Sequence, residues 1–313
     1  MTADLSAHTA HYHSILSMTD IPAAALQRIL ETSLALKQAP ESDTLRGHTL
    51  AIIFEKPSLR TRVSFELAMC ELGGRALVLR PDEIQMGKRE ATKDVAAYLS
   101  RNVTIACLRV YRHALLEEFA RCATIPVINA LSDREHPCQA LADIVTLLEH
   151  KKRLQGLRLT YIGDGNNVCH SLMLAAAMTG VSVTVACPAG YEPDAAVLEQ
   201  ANRIGADRQA AFTVEHDPVS AVAGADAVYT DVWTSMGQEK ETEQRRHDFR
   251  QYQLNSTLLA GAPDAIVLHC LPAHRGEEIT DEVIDSPRSV VFDQAENRRH
   301  AQKAAMLFAL GLL

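Results

Sequence analysis

Short apolar runs recur along the chain, and stretches with helical spacing separate them. Runs at 50–54, 76–79, 104–110 and 125–130, then at 158–162, 182–186, 212–214, 227–230, 265–269 and 290–292, predict ten strands. Several are continuous aliphatic or β-branched runs rather than alternating ones, which predicts parallel strands covered on both faces. Strand–helix alternation then predicts an α/β fold. Phe65, Met69 and Leu72 follow i, i+4, i+7 spacing, so a helix is expected from about Arg60 to a stop at Gly73-Gly74. A second amphipathic helix is expected over 139–150, with Leu141, Ile144, Val145 and Leu148 on one face. The polar stretch "KKRLQG" follows it, and a fresh β–α unit begins after Gly156.

A length of 313 residues fits about two domains. We place the division near residue 150, giving domains at 1–150 and 151–295, each a doubly wound parallel sheet, with a helix at about 296–313 packing back on the first. The dense mixed-charge run at 237–251 reads as a solvated helix face or loop.

Polar clusters gather at the strand ends. Ser58-Leu59-Arg60-Thr61 follows the first run, Arg109 ends the third, and His136-Pro137-Cys138-Gln139 follows the fourth. In the second half Gly163-Asp164-Gly165-Asn166-Asn167, Asp231 with Ser235-Met236-Gly237, His269-Cys270-Leu271-Pro272 and Glu296-Asn297-Arg298 occupy the same kind of place. Ligands of open α/β sheets bind outside the carboxyl ends of the strands. Repetition of that pattern in both halves predicts an active site in the cleft between two domains.

Each cluster has its own chemistry. Ser58 to Thr61 fall in the first turn of the expected helix, where unpaired N–H groups and the helix dipole favour an anion. Arg60 adds a planar fork suited to phosphate oxygens. The phosphate loop G-x-x-x-x-G-K-[ST] is absent. Gly163-x-Gly165 follows a strand, but position 168 is valine and the next strand lacks a terminal acid. That incomplete fingerprint is weak evidence for a dinucleotide, and the glycines are read as serving a tight turn that leaves Asn167 to present its amide. His269 and Cys270 are neighbours on a strand and should face opposite ways, which argues against a nucleophile pair. No pair of ligands has zinc spacing.

Charge and cysteine usage narrow the class. The net charge is −8, which disfavours a nucleic-acid partner, so any anion site must be local. Seven cysteines, an odd number without C-x-x-C, fit free buried thiols in a reducing compartment. The first residues lack a signal-peptide pattern, and no apolar run approaches the ~20 residues that span a bilayer. A soluble cytoplasmic protein is expected.

The ordered set "FEKPSLRTRVSFE", "MGKRE", "HPCQALAD", "GDGNN", "DVWTSMGQE", "HCLPAHRGEEIT" and "AENRRHAQKA" resembles the aspartate/ornithine carbamoyltransferase family over nearly the whole chain from about Arg46. The resemblance implies transfer of a carbamoyl group from carbamoyl phosphate to an amine, ornithine above all, with no metal or organic cofactor. It implies a carbamoyl-phosphate site of Ser58, Leu59, Arg60, Thr61, Gln85, Arg109, His136, Gln139, Cys270, Leu271 and Arg298. Gln85 matches a residue that reaches a neighbouring subunit's site, in homotrimers or multiples of trimers. The implied ornithine site is Asn167, Asp231, Ser235 and Met236, and Arg109, His136, Asp231 and Cys270 are the catalytic candidates. Asp231 either orients the attacking amine with Cys270 or grips the α-amino group. In the family the Ser-Met-Gly loop closes over ornithine. Many members carry threonine at the position of Leu59, and the leucine also resembles an acetylornithine branch. Acetylornithine, putrescine or aspartate as acceptor, a nucleotide-binding oxidoreductase, and a binding protein without turnover are the other readings.

Overall fold

Nine of the ten expected strands form. The computed structural model describes residues 12–235 and 237–313, and Met236 of the expected ornithine site lies outside them. The strands are β1 (Thr49–Phe54), β2 (Arg75–Leu79), β3 (Ile105–Arg109), β4 (Val127–Leu131), β5 (Arg158–Ile162), β6 (Ser182–Ala186), β7 (Phe212–Glu215), β8 (Ala227–Thr230) and β9 (Ile266–His269). They build two sheets, ordered β2-β1-β3-β4 and β7-β6-β5-β8-β9. Every named pairing is parallel. Helices flank the strands in chain order, so the class is α/β.

Burial follows the run type. β3 and β8 are buried throughout, and β1 and β5 at all but their first residue, whereas edge strand β2 has no buried residue. Continuous apolar runs therefore mark the central strands.

The tenth run is a correction. Val291 opens the Val291–Ala309 helix, five residues before the expected start. Ser289 bridges Val267, and the Val290 N–H bonds the Val267 carbonyl at 3.0 Å, before the chain turns helical. Val291 is 1% exposed but Phe292 is 68% exposed, a one-sided burial that a covered parallel strand would not show. Short apolar runs do not separate strand from helix by periodicity.

Contact density divides the chain into one unit of residues up to Ser132 with Arg299–Leu313, and another of Asp133–Arg298. In the first unit Phe65, Met69 and Leu72 are fully buried, as their spacing requires. The end of the long helix belongs there. Lys303, itself buried, donates to the Pro40 carbonyl at 2.7 Å and pairs with Glu71. The second unit holds the Pro137–Lys151 helix, which is buried at every residue from Pro137 to Leu147 rather than on one face. No helix among the described residues is long and apolar enough to cross a membrane.

Candidate active site

Each sheet has one point where its strand order reverses, between β1 and β3 in the first and between β5 and β8 in the second. Phe54 is in register with Arg109 at one, and Ile162 with Thr230 at the other. Crevices form at such points, beyond the carboxyl ends of the strands. The expected residues flank both.

At the first, Ser58 caps the Leu59–Glu71 helix. Its Oγ accepts from the Thr61 N–H at 3.3 Å and its hydroxyl donates to Thr61 Oγ1 at 3.1 Å. No acidic residue occupies the first turn, so nothing there offsets the positive end of the helix dipole. Thr61 is buried, Arg60 half-buried, and Leu59 is 74% exposed with its side chain directed away from the core. Arg109 is buried at the end of β3, where its carbonyl accepts from the Glu55 N–H at 2.8 Å. Gln85 sits exposed on a left-handed turn, φ 48°, after the Pro81–Ile84 helix.

At the second, the chain crowds against itself. A Cβ on Gly165 would lie 2.2 Å from the Pro193 nitrogen, so only glycine fits. The backbone of residues 192–193 packs directly against Gly165, the glycine position at which a dinucleotide fingerprint lets the backbone approach pyrophosphate. The turn delivers Asn166 to the N-cap of the Asn167–Thr179 helix. Its Oδ1 accepts from Val168 N–H at 2.9 Å and Cys169 N–H at 3.2 Å. That cap fixes the amide, so Nδ2 must face the other way, toward Asp231 Oδ2 at 3.1 Å and Ser235 Oγ at 3.5 Å.

Asp231 is 5% exposed. Its Oδ1 accepts from the Val232 N–H at 2.8 Å and from the Cys270 thiol at 2.9 Å. Burial first, and Asp231 second, push the Cys270 thiol well above its usual range. Cys270 is therefore a protonated donor at neutral pH, not a thiolate nucleophile.

Leu271, next in the chain, has φ 55°. Its N–H donates to His269 Nδ1 at 2.9 Å, and His269 Nε2 meets Glu278 Oε1 at 2.9 Å, both side chains fully buried. This pair holds a left-handed leucine that would otherwise cost about 1–3 kcal/mol. His269, Cys270 and Asp231 also place ligand-type atoms within 4.8 Å of one another, a cluster that ligand spacing in the sequence did not announce. Both His269 nitrogens are already engaged.

His136 enters the Pro137–Lys151 helix, 4% exposed, its N–H donating to Ser171 Oγ at 2.8 Å. Gln139 Nε2 donates to Asp143 Oδ1 at 2.8 Å, and Gln294 Nε2 donates to the same oxygen at 2.6 Å. Gln294 Oε1 in turn accepts from the His269 N–H at 2.9 Å. Gln139 is thus joined to the Cys270 loop through a buried chain of hydrogen bonds. Arg298, 3% exposed, lies close enough to stabilise negative charge on Asp143 and Cys270.

Nearly the whole chain matches known proteins. Residues 13–149 match the aspartate/ornithine carbamoyltransferase carbamoyl-P binding domain, and residues 155–309 match the Asp/Orn binding domain. The anabolic ornithine carbamoyltransferase of Pyrococcus furiosus is 52% identical over 302 residues, 95% of this chain and 96% of that one. The chain belongs to the aspartate/ornithine carbamoyltransferase family. The structure of the Pyrococcus furiosus ornithine carbamoyltransferase superposes with a TM-score of 0.93 over 96% of this chain and 98% of that one. That of the Gloeobacter violaceus ornithine carbamoyltransferase gives 0.86 at 47% identity, over 95% and 98%. An N-acetyl-L-ornithine transcarbamylase structure also gives 0.86, but at 31% identity, over 96% and 99%.

For a member of this family, four groups beside the expected set stand out. Lys56, 7% exposed, has its ammonium 4.1 Å from the Tyr111 ring centroid, two residues before the Ser58 cap. The preference of cations for an aromatic face is invisible without the fold. Asn166 is the N-cap rather than a bystander to Asn167, a role legible in an Asn preceding an apolar helix. Asp143 carries no linear signal. Arg245, inside the charged run, is 5% exposed and pairs with Asp164 at 2.9 Å.

Proposed function

We infer that the chain transfers the carbamoyl group of carbamoyl phosphate to the δ-amine of L-ornithine, giving L-citrulline and phosphate. The observation that carries this is the 52% identity with an anabolic ornithine carbamoyltransferase over 95% of the chain. Identity to the N-acetyl-L-ornithine enzyme is 31%, which favours the free amino acid as acceptor. Arginine biosynthesis is the direction we assign, with the reverse as its catabolic counterpart.

The chemistry assigns a task to each group. Ser58, Leu59 through its backbone, Arg60 and Thr61 hold the phosphate at a helix start. Gln139 and Arg298, with Cys270 and Leu271, bind the carbamoyl end. Arg109, His136 and Thr61 donate to the carbonyl oxygen as the neutral amine adds to the carbamoyl carbon and negative charge develops there. The carbon–oxygen bond to phosphate then breaks, and the proton lost by the amine leaves with phosphate. Asn167, Asp231, Ser235 and Met236 bind ornithine. A carboxylate has about four acceptor positions, and Asp231 already accepts from Val232, Cys270 and Asn166. What remains orients one N–H of the substrate. No covalent enzyme intermediate is needed, and much of the acceleration comes from holding two reactants in attack geometry.

We also propose a cytoplasmic homotrimer, or a multiple of it, with Gln85 reaching a neighbour's site, and a division of labour between residues 1–150 and 151–295. Citrulline formation across ornithine, acetylornithine, putrescine and aspartate tests the activity. Citrulline from ornithine is the expected product, and turnover of another amine without it rejects the assignment. Sizing in solution tests the trimer.

A further inference from the structure

Arg245 is the most deeply buried cation of the charged run that follows Ser235. Its segment comprises the Thr242–Asp248 helix, on which the side chains of Glu243 and His247 are 90% and 75% exposed. Arg245 instead turns inward. Its Nη1 donates to Asp164 Oδ2 at 2.9 Å and to the Trp233 carbonyl at 3.0 Å. Nε donates to Glu241 at 2.9 Å, and the guanidinium lies 5.1 Å from the Tyr191 ring centroid. Tyr191 closes the circuit by donating to Asp248 at 2.8 Å.

The two partners of Nη1 are informative. Asp164 belongs to the turn that delivers Asn166 and Asn167. Trp233 stands midway between Asp231 and Ser235. One guanidinium nitrogen therefore joins the two loops that carry the proposed ornithine contacts, and Asn166 joins the same loops on the other side through Asp231. A buried pair of this kind contributes little net stability compared with an apolar replacement, yet is costly to break from one side. Its retention fits fixing a geometry better than it fits adding stability. Burial also raises the Asp164 carboxyl above its usual range in spite of Arg245, so the pair is held against a desolvation cost.

We propose that Arg245 and Asp164 form a latch that positions the acceptor-binding loops, so that Arg245 is a positioning residue for ornithine rather than a contact to it. The proposal rests on the ornithine reading above, and it is judged on ratios between variants and wild type, while wild-type citrulline formation judges that reading separately.

The test is steady-state citrulline formation by the full chain, varying each substrate in turn, for Arg245→Gln, Arg245→Lys and Asp164→Asn. The expected result is a rise in ornithine KM of about tenfold in Arg245→Gln and Asp164→Asn, below the roughly 100-fold that a 1 Å misplacement of reacting groups costs. The carbamoyl phosphate KM should stay within about twofold, and Arg245→Lys should restore part of the ornithine affinity, because its point charge can meet Asp164 but lacks the second nitrogen that bonds Glu241. The double variant should be no worse than the poorer single one, as for residues acting through one interaction. An equal rise in both KM values, or a lowered melting temperature with unchanged ornithine KM, overturns the latch. Asp164→Asn keeps the test valid if Arg245→Gln does not fold.

Discussion

The two switch points assemble their polar groups in opposite ways. At β1 and β3 the donors are local: a cap, a helix start and an arginine within four consecutive residues, plus Arg109 from the neighbouring strand. At β5 and β8 the groups come from distant parts of the chain. Asn166, Asp231 and Cys270 span more than a hundred residues, and each side chain is oriented by another. A phosphate dianion is served by backbone N–H groups that any helix offers. An amine that must be aimed at a carbon needs an acceptor of fixed orientation, and that takes a network. The local site should tolerate side-chain change except at its charge, whereas the networked site should be damaged from any of its members.

The largest effect is expected at Asp231. Asp231→Ala leaves the Cys270 thiol and the Asn166 amide without their acceptor. We expect kcat/KM for ornithine to fall by about 10³, within the 10²–10⁴ range of groups that handle a transferring proton, with carbamoyl phosphate binding retained. A comparable loss in carbamoyl phosphate affinity would show that the two sets are not separable. Arg60→Ala is the counterpart. Losing charge-assisted bonds worth about 1.5–3 kcal/mol should weaken carbamoyl phosphate binding by about 100-fold, read by titration, and leave ornithine's response to the bound complex alone. Unchanged carbamoyl phosphate affinity would remove Arg60 from the cradle.

Asp143 tests the network by pH. Burial raises its carboxyl from 3.8 to about 7, against the opposing pull of Gln139, Gln294, Tyr229 and Arg298. The folded chain thus keeps a proton that the unfolded chain loses between about pH 4 and pH 7. Stability from this group therefore falls as pH rises through that window and is level above it, by on the order of 4 kcal/mol. Asp143→Asn should flatten that slope in denaturant unfolding followed from pH 5 to pH 8. A slope equal to the wild type would mean that the carboxyl ionises freely.

The comparison also explains what the sequence could disclose. Apolar runs announced nine strands and polar clusters marked their carboxyl ends, because strand ends and turns are local events, whereas the strand order that sets the switch points is not. Ser58 as the cap of its helix follows from neighbours a few residues away. Lys56 over Tyr111, Asp143 against Gln294 and Arg245 against Asp164 do not. Each is a polar group buried by residues remote in the chain, and no periodicity encodes its partner. The misread strand at 290–292 has the same origin. Three apolar residues fit either element, and the extended segment gives a single bridge and the Val290 bond to Val267 before Val291 begins the helix.

The smallest expected effect is at Leu59, and it tests the local site most sharply. Its side chain is 74% exposed at the first position of the helix, while the cap beside it is made by Ser58 and Thr61. In the proposed cradle the phosphate meets the N–H of this residue, which is the same in leucine and threonine. Leu59→Thr should cost only the few tenths of a kcal/mol that separate the two residues in helix propensity. It should also remove an exposed apolar side chain, with little consequence for folding. Carbamoyl phosphate KM is therefore expected to change by less than about twofold, since 1.4 kcal/mol is needed for tenfold. A gain of tenfold or more would mean that a hydroxyl at this position turns inward to the phosphate. The cradle would then depend on side chains as much as the acceptor site does, and the contrast between the two switch points would fail.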